Sequence, residues 1–81
     1  MSLTNEEKYK KSYVDALEIE EKVVNENLEY NSIPEWDSIG HMTLISAIEE
    51  SFDISIDTDD IIDFSSYNQG KKILSKYSVE F

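Results

Sequence analysis

A serine stands at the predicted start of a helix, within the stretch from Pro34 to Met42. Asp37 has a short acceptor side chain suited to a helix N-cap, which puts Ser38 in the first turn. Unpaired amides and the positive end of the helix dipole favour an anion there, so a phosphoester on the Ser38 oxygen would be stabilised where it forms. Ser38 is therefore a candidate acceptor for a phosphate-linked group. The alternative is that it serves only as a polar residue of the first turn.

Two other kinds of chemistry are suggested by neighbouring residues. His41 follows Ser38 by three positions and Asp37 precedes it, which is the composition of a hydrolytic triad. Positions this close on one helix do not let the acid orient the imidazole while the imidazole reaches the hydroxyl. We therefore predict no catalytic residues and no enzyme activity, and we expect His41 at the edge of the core.

The acidic alternation from Asp53 to Asp59 has the 1, 3, 5, 7 spacing of a calcium loop. Thr58 stands where that loop needs a glycine to turn, and Phe64 stands where it needs a bidentate glutamate. We predict no metal site.

The charge balance limits the kinds of partner. Eighteen acidic residues against seven basic ones give a net charge of -11, which repels phosphate backbones and attracts basic protein surfaces. Nucleic-acid binding is therefore not expected. The chain has no cysteine and no apolar segment after Met1 typical of a signal or a membrane span, so we expect a cytoplasmic location. Its 81 residues predict one domain, residues 1–81, and a monomer.

The elements that position Ser38 are predicted to be helices. Thr4 and Glu7 form a capping box that starts helix one, which ends near Leu17. The segment 18–36 has no helical period and is predicted to be a long loop whose scattered apolar residues pin it across the helices. A strongly periodic run then predicts helix two from Ser38 to Phe52.

The last third of the chain predicts two more helices. A short one spans Thr58 to Asp63 with Asp57 as its cap, after an extended link whose Ile54 and Ile56 pack down. The last begins at a second capping box, formed by Ser66 with Gln69, and has an apolar stripe of Tyr67, Ile73, Leu74 and Tyr77. Gly70 either weakens this helix or permits close packing. The predicted fold is all-α: a small helical bundle of three main helices plus one short helix, with a long loop between helices one and two.

Helix two has two unlike faces. The face predicted to be buried consists of His41, Leu44, Ile45, Ile48 and Phe52. The opposite face is mostly polar but includes the apolar Ile39 and Met42. Exposed apolar groups near a docking centre often supply binding energy, while charges at the rim speed encounter. We predict a partner-binding surface made of Ile39, Met42, Thr43, Glu49 and Glu50.

The triplet Asp37-Ser38-Ile39 resembles the Asp-Ser-Leu signature of acyl and peptidyl carrier proteins. The resemblance is continuous from Trp36 to Ile56 and covers about half of the chain closely, with the rest matching in helix order. The residues that keep the family's spacing beyond the triplet are Leu44, Ile48, Glu49, Glu50, Phe52, Ile54, Asp60 and Ile61.

This resemblance implies that a phosphopantetheinyl transferase moves 4'-phosphopantetheine from coenzyme A onto Ser38, beside Asp37. The terminal thiol would then hold an acyl or aminoacyl group as a thioester, which a chain without cysteine can do only through an imported thiol. The implied partners are that transferase, a loading ligase and downstream acyl-transferring enzymes, whose basic patches meet Asp37, Glu49 and Glu50. Absence of flanking domains favours a freestanding carrier.

The sequence departs from well-known fatty-acid carriers at three positions. Gly40 and Thr43 stand where acidic residues are frequent, and Ile39 stands where leucine is usual. The set of partners is therefore open, and so is the cargo, since fatty-acid, polyketide, peptide and sugar-modifying pathways all use such domains. The competing prediction is a cofactor-free acidic helical adaptor or inhibitor that binds a basic protein partner through Ile39 and Met42.

Overall fold

The first helix begins at a capping box and ends in a left-handed turn. A computed structural model of the protein describes residues 4–81. Helix α1 spans Asn5–Leu17. The Thr4 hydroxyl accepts from the Glu7 amide at 3.1 Å, and the Glu7 carboxylate accepts from the Thr4 amide at 3.1 Å. The predicted box and the end near Leu17 are both confirmed. Glu18 closes the helix with φ at 53°, a conformation that glycine adopts more easily.

The long loop between α1 and the next principal helix is pinned by its apolar residues, as predicted. Its buried members are Ile19, Val24 and Leu28. The structure adds two features of this loop that its aperiodic sequence did not predict. One is a short 3-10 turn, Glu21–Val23, and the other is an antiparallel bridge between Glu29 and Ser66. The bridge fixes the second half of the loop against the start of the last helix.

Helix α2 spans Ser38–Phe52, the predicted bounds. It begins at Asp37, whose carboxylate Oδ1 accepts from the Gly40 amide at 2.8 Å. It ends at Asp53, which is also left-handed, with φ at 53°. The buried residues of α2 are Leu44, Ile45 and Ile48, while His41 and Phe52 are half-buried at the two ends of the same face.

Helix α3 spans Thr58–Asp63 and follows an extended link. Ile56 in that link is buried, and Ile54 packs against the core, as predicted. Asp57 occupies the N-cap position, but its side chain makes no capping hydrogen bond. Asp57 is thus the cap residue, as predicted, although the cap has no side-chain bond. The Asp57 amide donates instead to the Tyr77 hydroxyl at 2.9 Å, which joins the start of α3 to the chain after α4.

Helix α4 spans Tyr67–Ser75. The Ser66 hydroxyl accepts from the Gln69 amide at 3.0 Å, but no return bond from the Gln69 side chain forms, so only half of the predicted box exists among residues 4–81. The helix stops before Tyr77, which lies in the turn that follows it. The predicted apolar stripe is thus shorter than the sequence suggested.

The core is a single cluster in which tyrosines supply both bulk and polar bonds. Tyr9 and Tyr13 are completely buried, and the Tyr9 hydroxyl donates to the Tyr67 carbonyl at 2.6 Å while accepting from Tyr13 at 2.8 Å. Burial raises the pKa of both phenols, so they stay neutral. A Cβ on Gly70 would overlap the Tyr9 oxygen and the Phe64 ring, so this glycine serves close packing. The largest buried side chains are Trp36, Tyr9, Tyr13, Phe64, Leu44, Ile45, Ile48, Leu74 and Val24.

The predicted all-α bundle is confirmed. Residues 4–81 form three main helices and one short helix, and within this range the only strand-like pairing is the isolated bridge. None of the described helices combines the length and the apolar content needed to cross a membrane.

Candidate functional site

The segment before α2 is folded so that Ser38 becomes the first residue of the helix. The Trp36 amide donates to the Ile33 carbonyl at 3.2 Å, and the Trp36 carbonyl accepts from the Asn31 amide at 2.9 Å. The Trp36 side chain is completely buried. This anchors the chain one residue before the N-cap, and Ser38 follows with an exposed side chain.

The backbone around Ser38 has donors to offer an anion. Of the first amides of α2, that of Gly40 is bonded to the Asp37 carboxylate and that of His41 to the Asp37 carbonyl, both at 2.8 Å. The amides of Ser38 and Ile39 have no acceptor among residues 4–81. These are the unpaired donors expected at a helix start, and they lie beside the serine hydroxyl.

The Ser38 hydroxyl also has a side-chain neighbour from the long loop. Tyr30 places its hydroxyl 3.1 Å from Ser38 Oγ. Tyr30 was not predicted as a site residue, because it lies in a segment without a helical period, eight positions before the serine. No local pattern links the two residues.

His41 does not act on Ser38. Its Nδ1 accepts from the Trp36 indole Nε1 at 2.9 Å, and its Nε2 lies 2.8 Å from the Ile61 carbonyl oxygen. Both ring nitrogens are thus used by residues other than Ser38 and Asp37. The geometry forms no pair of nucleophile and base, and it makes His41 a bridge between α2 and α3.

An open groove of about 380 Å³ runs between α2 and α3 with Ser38 at its border. Its apolar walls come from Met42, Ile61, Ile62 and Phe64. Its polar lining comes from Tyr30, Ser38, His41 and Ser65. A flexible group attached to Ser38 therefore has a largely apolar surface beside its point of attachment.

The predicted partner surface is exposed at its apolar positions. Ile39 is 79% exposed and Met42 is 54% exposed, and Thr43 and Glu50 are exposed on the same helix. The structure adds Ile62 of α3, which is 73% exposed. No local pattern in the sequence distinguishes it from its buried-side neighbour Ile61.

Glu49 differs from the other predicted partner-binding residues. It is half-buried, and its carboxylate accepts from the Ile56 amide at 2.8 Å. That bond holds the link between α2 and α3 against the end of α2. Glu49 therefore has a structural role that its position in the helical pattern did not reveal.

The glycine at position 40 is explained by the close approach of the preceding backbone to the first turn of α2. A Cβ at this position would overlap the Glu35 carbonyl oxygen and would lie 3.1 Å from Leu17 Cδ2. The first turn of α2 thus lies directly against the preceding backbone and the end of α1. An acidic side chain, frequent here in the family that the sequence resembles, has no room on this backbone.

Helix α3, which forms one wall of the groove, is bonded to the residues that follow α4. The carboxylate of Asp60 accepts from the Lys76 ammonium and, at 2.6 Å, from the Tyr77 hydroxyl. Asp60 is 7% exposed. These hydrogen bonds, first that of Lys76 and then that of Tyr77, hold the pKa of Asp60 below its usual value.

Within residues 4–81, no three His, Asp or Glu side chains are grouped so that they could hold a metal ion. The acidic residues from Asp53 to Asp59 are spread over the link and the start of α3.

Comparisons with protein families, with curated proteins and with solved structures found no match to this chain.

Proposed function

We propose that the protein is a carrier that holds an acyl or aminoacyl group as a thioester on 4'-phosphopantetheine attached to Ser38. The observation that carries this proposal is the exposed Ser38 hydroxyl in the first turn of α2, beside the unbonded amides of Ser38 and Ile39. The bound group would supply a thiol at the end of a long flexible arm, which the chain itself lacks.

The residues around Ser38 fit a phosphodiester. In the loading reaction the Ser38 oxygen forms a bond to the phosphorus that bears pantetheine, and the pyrophosphate bond of coenzyme A breaks. Adenosine bisphosphate leaves, and the hydroxyl proton passes to a base of the transferase. The negative charge that stays on the serine lies at the positive end of α2, where free amides and the helix dipole stabilise it.

The rest of the surface fits a domain that visits other proteins. The exposed Ile39 and Met42 follow Ser38 in the first turns of α2, and Asp37 and Glu50 provide acidic charge before and after them. We expect a transferase, a loading ligase and acyl-transferring enzymes to dock here through basic patches with an apolar contact at the centre. The chemistry would stay on those enzymes, with the arm keeping its cargo at high effective concentration near them. We place this activity in the cytoplasm.

The test is the intact mass after incubation with coenzyme A and a promiscuous phosphopantetheinyl transferase. The wild type should gain one phosphopantetheine group and Ser38→Ala none. Ser46→Ala, which removes another exposed hydroxyl of α2, is the matched control and should be loaded like the wild type.

A wild-type chain that gains no mass, under conditions that load a control carrier, would overturn the proposal. The exposed apolar pair on α2 would then favour the second candidate, a cofactor-free acidic adaptor or inhibitor of a basic protein partner.

A further inference from the structure

Tyr30 lies against the modifiable hydroxyl in a fixed position. Its backbone amide donates to the Ser65 carbonyl at 2.8 Å, next to the bridge that joins the long loop to α4. Its ring packs edge-on against His41, with ring centroids 5.3 Å apart, and against Trp36 at 6.3 Å. The hydroxyl at the end of this ring is 3.1 Å from Ser38 Oγ. Tyr30 is held at its backbone and along its ring, so the phenol is preorganised.

We infer that Tyr30 is a positioning residue for the modification of Ser38, and that its phenol donates a hydrogen bond to the phosphodiester as that group forms. This inference rests on the proposed carrier function. It adds a side-chain donor to the backbone donors of the helix start.

The chemistry of the two hydroxyls favours this direction of donation. A phenol is a better hydrogen-bond donor than an aliphatic alcohol, because its ring draws electron density from the oxygen. Donation by Tyr30 to Ser38 Oγ leaves the serine proton free for the base of the transferase. It also holds the Ser38 side chain in one rotamer, with Oγ on the side of the groove that Tyr30 lines.

The hydrogen bond donated by Tyr30 should strengthen as the phosphodiester forms. The phosphoryl group that joins Ser38 Oγ brings its anionic oxygens next to the atom that Tyr30 already contacts. A hydrogen bond to an anionic oxygen is stronger than one to a neutral hydroxyl. Tyr30 therefore stabilises the phosphoryl group as it bonds to Ser38 Oγ more than it stabilises the starting hydroxyl, which is the condition for accelerating a step rather than only binding.

The position of Tyr30 also sets the direction in which the arm leaves. Tyr30 and Ser38 line the same groove, together with Met42 and Ile62. A phosphodiester on Ser38 that accepts a hydrogen bond from the Tyr30 hydroxyl lies beside the groove between α2 and α3. The arm consequently starts along the apolar groove.

The experiment compares the wild type with Tyr30→Phe, which keeps the ring and removes only the hydroxyl. We expect kcat for loading by the transferase to fall about threefold to tenfold, the size of losing one partly exposed hydrogen bond to a charged group. The KM for this protein should change less than about twofold, since the docking surface on α2 is intact. The melting temperature should match that of the wild type.

A second readout is independent of rate. In the loaded protein, the ³¹P resonance of the phosphodiester should differ between Tyr30→Phe and the wild type, because the variant lacks the donor next to the phosphorus. Ser55→Ala removes an exposed hydroxyl near the opposite end of α2 and should match the wild type in both readouts.

The outcomes separate this inference from the proposal on which it rests. If the wild type is loaded and Tyr30→Phe matches it in kcat or in ³¹P shift, the inference is wrong and the carrier function stands. If the wild type is not loaded at all, both are wrong.

Discussion

The indole Nε1 of Trp36 donates to Nδ1 of His41 at 2.9 Å. Since an indole nitrogen can only donate, Nδ1 must be unprotonated, and the proton of the neutral ring lies on Nε2. From there it is donated to the Ile61 carbonyl at 2.8 Å. One imidazole thus joins the buried anchor before Ser38 to the helix on the far side of the groove.

His41→Leu should destabilise the fold, because it leaves the buried Trp36 indole and the Ile61 carbonyl without their partner. We expect the free energy of unfolding to fall by about 2 kcal/mol, the usual cost of orphaning buried polar groups. Urea unfolding followed by fluorescence reports this directly, since Trp36 is the only tryptophan. The double variant Trp36→Phe/His41→Leu, followed by circular dichroism, should lose less than the sum of the two single losses. Strict additivity would show that the bond contributes nothing.

Gly40→Ala should destabilise the fold even though alanine is the better helix former. The added Cβ overlaps the Glu35 carbonyl oxygen, and that oxygen belongs to backbone that cannot swing away. Overpacking of this kind costs about 1–3 kcal/mol, which exceeds the gain of up to about 1 kcal/mol in helix propensity. Urea midpoints measure the change. Ser46→Ala, on the exposed side of α2, is the control and should lie within about 0.5 kcal/mol of the wild type. A Gly40→Ala variant as stable as this control would disprove the close approach.

Asp60 should give the fold an acid-sensitive contribution. Lys76 and then Tyr77 hold its pKa below the ordinary value, so its contribution is fully present above the unfolded-chain pKa of about 3.9. The contribution is lost as pH falls through the lower folded-state pKa. The difference in unfolding free energy between the wild type and Asp60→Asn should therefore be constant near neutrality and shrink below about pH 4. Urea midpoints at a series of pH values measure it.

The control for net charge in that series is Asp59→Asn, which removes an exposed carboxylate from the same helix. A difference between wild type and Asp60→Asn that stayed constant down to pH 2 would contradict the assigned role of the ion pair.

Ile39→Ser and Met42→Ser should weaken docking without affecting the fold. Both side chains are more than half exposed, so their replacement should change the unfolding free energy by less than about 0.5 kcal/mol. If they supply the apolar contact at the centre of the interface, each should raise the KM for this protein in transferase loading by about threefold to tenfold and leave kcat near wild type. Ile62→Ser, the same change on α3 at a position about as exposed as Ile39, measures how far the interface extends. Unchanged KM values for both α2 variants would remove them from the docking surface.

The helices were predictable because their signals are local. Thr4 with Glu7 and Asp37 with Gly40 are contacts three residues apart, and the buried Leu44, Ile45 and Ile48 of α2 recur at helical spacing. The contacts that shape the site are of another kind. Tyr30 reaches Ser38 from an aperiodic loop, and His41 reaches Ile61 across twenty positions. Such pairs depend on how the loop and the helices pack in the folded protein. A short stretch of sequence carries no information about that packing.

Glu49 illustrates the same limit within a correctly predicted helix. The period of α2 places it on the polar face, yet its carboxylate turns back to the Ile56 amide. The carboxylate of a long acidic side chain can accept hydrogen bonds from water or from a neighbouring backbone amide equally well. Only the path of the following link decides between them.

The two longest helices both terminate at an acidic residue with positive φ, Glu18 for α1 and Asp53 for α2. Each such side chain faces the negative pole of its own helix, and each backbone occupies a conformation that L-residues find costly. Evolution has thus left thermostability unused at two surface sites, of which Glu18 lies beside the first turn of α2 and Asp53 lies at the other end of that helix. A protein engineer who wants a hardier scaffold can place glycine or asparagine at either junction, and at Asp53 the change lies at the end of α2 opposite Ser38.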